Sequence, residues 1–400
     1  MFFDKKRFFF TVCLLLTVIL WKSPASAAAE IELTSPSAIL VEASTGQVIY
    51  EKNADEKRSP ASITKIMTLL LAMEQISSGK ADLKDEITVS EHAASMGGSQ
   101  VFLAQGEIQT METMLKCIAV ASGNDACVAV AEFLAGSEEA FVKQMNDKAA
   151  ALGMTNTHFV DCCGLTTSEE HYTTARDVAC MSAKLITEYP EIFQYTGIWM
   201  EDIIHETRQG SSRFTLSSTN KLLKRYPYAT GLKTGSTQKA KYCISATASK
   251  DGVDMIAVVL GAPDPKTRFS EAQTLLTYGY AGCKLYLDKE PLPLPVIKIR
   301  GGVKEGVSVV YEGEFRYLDM EGLHFEEIER ELVLPDQVEA PVEKGGYAGE
   351  LIYRYHDAEI GKMPVIYAES VEKADFWDCL RAVLQSFLFS KVQSCDKIAK

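Results

Sequence analysis

Three short motifs, far apart in the chain and in a fixed order, constrain this sequence most: Ser62-Ile63-Thr64-Lys65, then Ser122-Gly123-Asn124, then Lys233-Thr234-Gly235. Together they describe an activated serine, so any fold that serves them must gather three distant stretches. A serine hydroxyl is a weak nucleophile until a base takes its proton, and a lysine three residues later on a helix lies on the same face, within reach of it. The spacing predicts a helix, and one is readable: Pro60 and Ala61 lead in, and Ile66, Met67, Leu69, Leu70, Met73 and Ile76 give a mostly apolar stretch suited to burial. Ser62 then falls in the first turn, where the helix dipole favours a developing oxyanion. Lys65 acts as a base only if its ammonium gives up a proton easily, which calls for desolvation or a second cation nearby, and Lys233 is the candidate cation. Thr234 offers a hydroxyl to a substrate carboxylate. Gly235 leaves room for a ligand along an edge strand, and the alternation from Tyr242 to Ala248 continues that strand into a hairpin.

Ser-x-x-Lys alone carries little information, because it recurs at Ser77/Lys80, Ser218/Lys221, Ser236/Lys239, Ser370/Lys373 and Ser394/Lys397, and Ser218-Thr219-Asn220 imitates the second motif. The order of the trio, its helical context and the sole Lys-Thr-Gly separate it from these decoys. On these residues the chain resembles the serine D-alanyl-D-alanine carboxypeptidases, the low-molecular-mass penicillin-binding proteins. The likeness extends to Asn156-Thr157-His158-Phe159 with Gly164-Leu165, to His171-Tyr172-Thr173-Thr174-Ala175-Arg176-Asp177, to Asn220-Lys221-Leu222-Leu223 before Gly231-Leu232, and to Arg268-Phe269.

The resemblance implies roles for matching positions: Ser62 as acylated nucleophile, Lys65 as base, Ser122 as proton relay to the leaving D-alanine and Asn124 as holder of the peptide carbonyl. It implies that Lys233 supplies positive charge beside Ser122, that Thr234 and Arg268 bind the terminal carboxylate, and that Gly235 lines the site. The backbone amides of Ser62 and Ser236 would form the oxyanion hole. It further implies peptidoglycan pentapeptide as substrate, β-lactams as inhibitors, and no metal or organic cofactor. The chain departs from the family pattern at Gly123, where β-lactamases have aspartate, at Cys162-Cys163, where proline is frequent, and at Ala240-Lys241, where glycine is common before Tyr242. His171, Arg176 and Asp177 read as a structural hydrogen-bond cluster rather than site residues. A β-lactamase, a DD-endopeptidase and a non-catalytic wall-binding or penicillin-sensing protein on the same scaffold are the competing functions.

Lys5, Lys6 and Arg7 before an apolar run from Phe8 to Trp21, with Ala25-Ser26-Ala27 after it, read as a secretory signal over residues 1–27, which predicts export to the outer face of the cytoplasmic membrane or the cell wall. A net charge of −13 and a pI near 5.1 exclude a general nucleic-acid binder, since no basic stripe is present to displace counterions. The ten cysteines have no regular spacing, so they predict neither a zinc site nor a disulfide framework and read mostly as small buried apolar residues.

The expected fold is α/β: a β-lactamase/transpeptidase-like domain over 28–288, with an antiparallel sheet flanked by helices and a helical subdomain. Strands are expected within Ala38 to Tyr50, Tyr242 to Ala248 and Met255 to Gly261, with helices from Thr110 to Leu152 and from Ser270 to Tyr280. Pro291-Leu292-Pro293-Leu294-Pro295 marks a stiff linker over 289–295. Short β-rich runs then predict a small β-sandwich domain over 296–369. From 370 to 400, Phe376, Trp377, Leu380, Val383, Leu384, Phe387 and Leu388 fall at helical spacing with Asp375, Asp378, Arg381, Gln385 and Lys391 between them, an amphipathic helix too polar to span and suited to a membrane surface.

Overall fold

The computed structural model describes residues 31–207 and 210–390. The expected signal segment, Cys13 and Lys391 lie outside the described residues. The chain divides into two units, residues 1–34 and residues 35–400, and the second holds the elements described here.

The catalytic region is organised on a five-stranded antiparallel sheet. Strands β1 (Ser37–Glu42) and β2 (Val48–Lys52) form its first hairpin around the turn at Gly46. A 3-10 turn, Ala61–Thr64, runs directly into helix α1 (Lys65–Ser77), whose residues from Lys65 to Met73 are all buried. The hydrophobic stretch read from the sequence thus forms a central helix, apolar nearly all round because it is covered on every side. A short ladder of β3 (Glu86–Thr88) with β4 (Ile108–Thr110) and helices α2 (Glu91–Ala94), α3 (Met111–Ala119), α4 (Asn124–Ala135) and α5 (Glu138–Ala151) complete the helical subdomain. Helices α6 (Ala175–Glu188) and α7 (Phe193–Thr196) lead to a hairpin, β5 (Met200–Thr207) with β6 (Gly210–Ser217), that stands apart from the main sheet.

The chain then returns to the sheet with β7 (Ala229–Thr237), β8 (Lys241–Lys250) and β9 (Val253–Ala262), giving the strand order β2-β1-β9-β8-β7. Strands β8 and β9 are buried on both faces, which suits their continuous apolar composition: α1 and α6 contribute to the core on one side and α8 (Pro265–Gly282) packs on β8 and β9. Strand β7 is the last in the sheet, so its outer edge is open for pairing.

Residues 291–295 have no regular structure, and the adjoining stretch is pinned by Tyr311 Oη donating to Leu292 O and Arg330 Nη1 donating to Glu290 O. The following β region contains a three-stranded and a four-stranded sheet; Ile297, Val307, Val365 and, beyond the last strand, Val371 share one core, and Phe315, Leu351, Tyr353 and Met363 form another. A last helix, Phe376–Ser390, exposes Phe376, Trp377, Leu380, Val383 and Leu384. Among the described residues, no helix is long and apolar enough to cross a membrane.

Candidate active site

The three motifs converge. Ser62 lies on the 3-10 turn rather than in the first turn of the α-helix, a correction with a geometric reason: residues i and i+3 eclipse in a 3-10 turn, which sets Ser62 over Lys65. Lys65 Nζ is 3.0 Å from Ser62 Oγ, 2.6 Å from Asn124 Oδ1 and 2.7 Å from the Cys163 carbonyl, and its side chain is fully buried. The two carbonyl oxygens can only accept, so they claim two N–H groups and leave the third position of the amine facing the serine hydroxyl.

Ser122 occupies the turn between α3 and α4 in left-handed backbone, φ +62°, a conformation that costs a non-glycine residue and is found where function fixes it. Its Oγ accepts from Lys233 Nζ at 2.9 Å, and the lysine also donates to Thr234 O at 3.0 Å. Burial, then the positive charges of Lys65 and Arg268, hold the Lys233 ammonium well below the usual lysine range. The hydrogen-bond partners of both lysines are neutral. Asn124 begins α4, and its Nδ2 donates to Gly97 O at 2.7 Å, so both ends of its amide are engaged within the protein. One of the two N–H groups of Asn124 Nδ2 is held by Gly97 O, which leaves the other for a second acceptor. Beneath it, the buried Asp125 carboxylate accepts from the amides of Val101 and Leu103 and fixes this wall of the cleft.

Strand β7 rides tightly over the turn that carries Ser62. A Cβ on Gly235 would meet Pro60 O at 2.8 Å and the amides of Ser62 and Ile63 at 2.9 Å, so only glycine permits this approach. Ser236, the next residue, is exposed at the strand edge. Thr234 Oγ1 donates to Thr219 Oγ1 at 2.7 Å, an engagement the sequence reading did not include. Arg268 lies in the first turn of α8, buried, with Nη1 donating to the carbonyls of Gly235 and Cys243 at 3.2 Å each; its Nε is buried without a hydrogen-bond partner, and burial lowers the guanidinium to about 10. These two bonds tie Arg268 to β7 and β8.

The opposite wall is the loop from Asp161 to Gly164. Asp161 accepts from the amides of Cys163, Gly164 and Thr166, which turns the Cys163 carbonyl onto Lys65 and the Cys162 carbonyl onto Thr68 Oγ1, 2.6 Å away. At Gly164, φ +77°, an added Cβ would stand 1.8 Å from Ala61 O. Sequence reasoning missed the Cys163 carbonyl because a backbone acceptor has no residue signature, although Asp161 three residues before Gly164 is a turn signal. His171 donates from Nε2 to Thr64 Oγ1, which itself donates to Ala61 O, and its Nδ1 accepts from the Val160 amide; this fixes a neutral ring, and burial lowers its pKa. Arg176 instead pairs with Asp55 and Glu51 at the surface, and Asp177 accepts from Thr157 and Asn156. The three residues read as one cluster serve three separate places.

The chain matches the D-alanyl-D-alanine carboxypeptidase family over residues 23–264 and the penicillin-binding protein 5 C-terminal domain over residues 296–373. It is 40% identical to D-alanyl-D-alanine carboxypeptidase DacF of Bacillus subtilis, over 91% of this chain and 92% of the relative, and 32% identical to DacC of Escherichia coli, over 89% and 91%. Among solved structures it is similar to penicillin-binding protein 5 from Haemophilus influenzae, with a TM-score of 0.72 at 26% identity, covering 86% of this chain and 99% of that one. DacD from Francisella tularensis gives a TM-score of 0.65 at 28% identity, over 90% and 98%. Likeness along both domains, joined to a serine and a lysine in contact, leads to one conclusion: the chain belongs to the serine-type D-alanyl-D-alanine carboxypeptidase family.

Proposed function

We propose that this protein removes the terminal D-alanine from peptidoglycan pentapeptide through an acyl-enzyme on Ser62, and that penicillin acylates the same oxygen. The observation that carries the reading is the environment of Lys65 Nζ, with two carbonyl acceptors and the serine hydroxyl around it. A neutral amine there donates its two N–H groups to Asn124 Oδ1 and Cys163 O and turns its lone pair to the Ser62 O–H, so the proton passes to Lys65 as Oγ attacks the carbonyl carbon. The amides of Ser62 and Ser236 take the oxyanion. The proton taken by Lys65 then passes to Ser122 as Ser122, bonded to Lys233, gives its own proton to the departing D-alanine nitrogen; Lys65, neutral again, takes a proton from the water that attacks the ester and returns it to Ser62 Oγ as the acid leaves. Lys233, Thr234 and Arg268 supply the donors and positive charge suited to the terminal carboxylate.

We also infer that the protein is exported and that its last helix rests on a membrane surface. The basic-apolar-small pattern of residues 1–27 supports the first, and the exposed Phe376, Trp377, Leu380 and Val383 support the second. The deciding assay is D-alanine release from diacetyl-Lys-D-Ala-D-Ala by the purified protein and by Ser62→Ala. Release by the wild type alone is expected; equal release by the variant would overturn the assignment. Flotation with anionic vesicles, compared with a chain ending at residue 375, tests the surface helix.

A further inference from the structure

One of the decoy motifs, Ser236-x-x-Lys239, places its lysine where the reaction above does not use it. Lys239 lies in the turn between β7 and β8 and reaches across to the loop that follows Gly164: its Nζ is 3.1 Å from Ser168 O, 3.5 Å from Thr167 O and 3.0 Å from Glu169 Oε1. The lysine side chain is 32% exposed and that of Glu169 88% exposed. An ion pair this open is worth little, so another carboxylate can replace Glu169 at small cost.

The order of anchors along β7 sets the direction in which a bound peptide runs. A terminal carboxylate at Thr234 and a scissile carbonyl at the Ser236 amide leave the upstream part of the substrate to run past Thr237 toward Lys239, antiparallel to β7 as an added strand on its open edge. β7 ends at Thr237, so a peptide rising about 3.3 Å per residue leaves the strand within two or three residues before the scissile bond, where the turn carrying Lys239 follows. We propose that Lys239 is a specificity-determining residue of this site, its ammonium receiving a carboxylate carried by the substrate at that distance, with Glu169 as the internal group that this carboxylate displaces. The proposal rests on the carboxypeptidase reading and adds the class of substrate preferred: stem peptides bearing a free carboxylate upstream of the cleaved pair. In a chain of net charge −13, a lysine at this end of the cleft also offsets the general repulsion of an anionic peptide.

The test compares two peptides that differ only in charge, acetyl-Glu-(Nε-acetyl)Lys-D-Ala-D-Ala and its Gln counterpart, by D-alanine release at low salt. The wild type should favour the Glu peptide in kcat/KM by about threefold to fivefold, the size of an exposed ion pair, mainly through KM, and the preference should fade in high salt. Lys239→Met should bring the ratio to about one, Lys239→Arg should keep it, and Glu169→Gln should raise it. A wild-type ratio near one, an unchanged ratio in Lys239→Met, or an equal loss on both peptides would overturn the proposal. Failure of the wild type to release D-alanine from either peptide would instead sink the carboxypeptidase reading, and this inference with it.

Discussion

Replacing Gly235 by alanine tests whether the closeness of β7 to the Ser62 turn is what makes the site work. The new methyl would lie 2.8–2.9 Å from Pro60 O, Ser62 N and Ile63 N, whereas ordinary contact begins near 3.4 Å, so the strand must retreat by about 0.5 Å. None of the three obstructing atoms is the end of a flexible side chain; all belong to the backbone of the turn that carries Ser62. Overpacking of this kind costs about 1–3 kcal/mol, which for a domain of this size lowers Tm by roughly 2–10 °C. On the proposed mechanism the effect on chemistry is larger, because the retreat separates the amides of Ser62 and Ser236, which there converge on one oxyanion. Loss of one such donor slows acyl transfer by about 100-fold or more. Stopped-flow acylation by a fluorescent penicillin, with Tm measured on the same samples, reads both. Acylation within threefold of wild type at an unchanged Tm would refute the reasoning.

Further outcomes follow from other parts of the structure. Because the Lys233 ammonium is disfavoured in the folded protein, the unfolded chain holds a proton that the native chain lacks between the lowered pKa and the ordinary value of about 10.4. Stability therefore rises with pH across that window and is lost as pH falls through the folded value, so on approaching the ordinary lysine value from below Tm should climb more steeply in wild type than in Lys233→Met; parallel profiles would contradict this. His171→Ala leaves Thr64 and the Val160 amide without their buried partner and should cost about 1–3 kcal/mol in denaturant melts. The native ring resists protonation, so wild-type stability should also fall in acid below about pH 6.5 by an increment absent from the variant. Lys241 has φ +57° at the position where glycine is common in the family, and Lys241→Gly should stabilise by about 0.5–1 kcal/mol; a loss of stability would show that the lysine side chain has an unrecognised role.

Much of the site was legible because its chemistry depends on side chains at fixed spacing. Ser62 and Lys65 announced a helical turn and Asn124 opened a helix as its sequence suggested, whereas Gly235, read as leaving room for a ligand, is required by the close approach of β7 to the backbone of the Ser62 turn. The illegible parts depend on the backbone and on long-range placement. The Cys163 carbonyl that orients Lys65 could have belonged to any residue, and the Thr234 to Thr219 contact joins a strand to a loop through two hydroxyls with no motif between them. The β5–β6 hairpin escaped notice because Glu201, Asp202, His205 and Glu206 interrupt its apolar alternation, yet His205 and Ile203 are buried against the helical subdomain and His205 pairs with the buried Glu107. The departures from the family pattern prove to be backbone matters: Cys162 and Cys163 contribute carbonyls, and Lys241 tolerates a glycine-like conformation.

On the proposed mechanism the amine of Lys65, held by two carbonyls, makes Ser62 the one oxygen that is acylated. Peptide mapping by mass spectrometry after brief exposure to penicillin tests it directly. A single adduct on the peptide containing Ser62, absent in Ser62→Ala and strongly slowed in Lys65→Met, is the expected result; an adduct on another residue, or equal labelling of the Lys65→Met protein, would contradict the account.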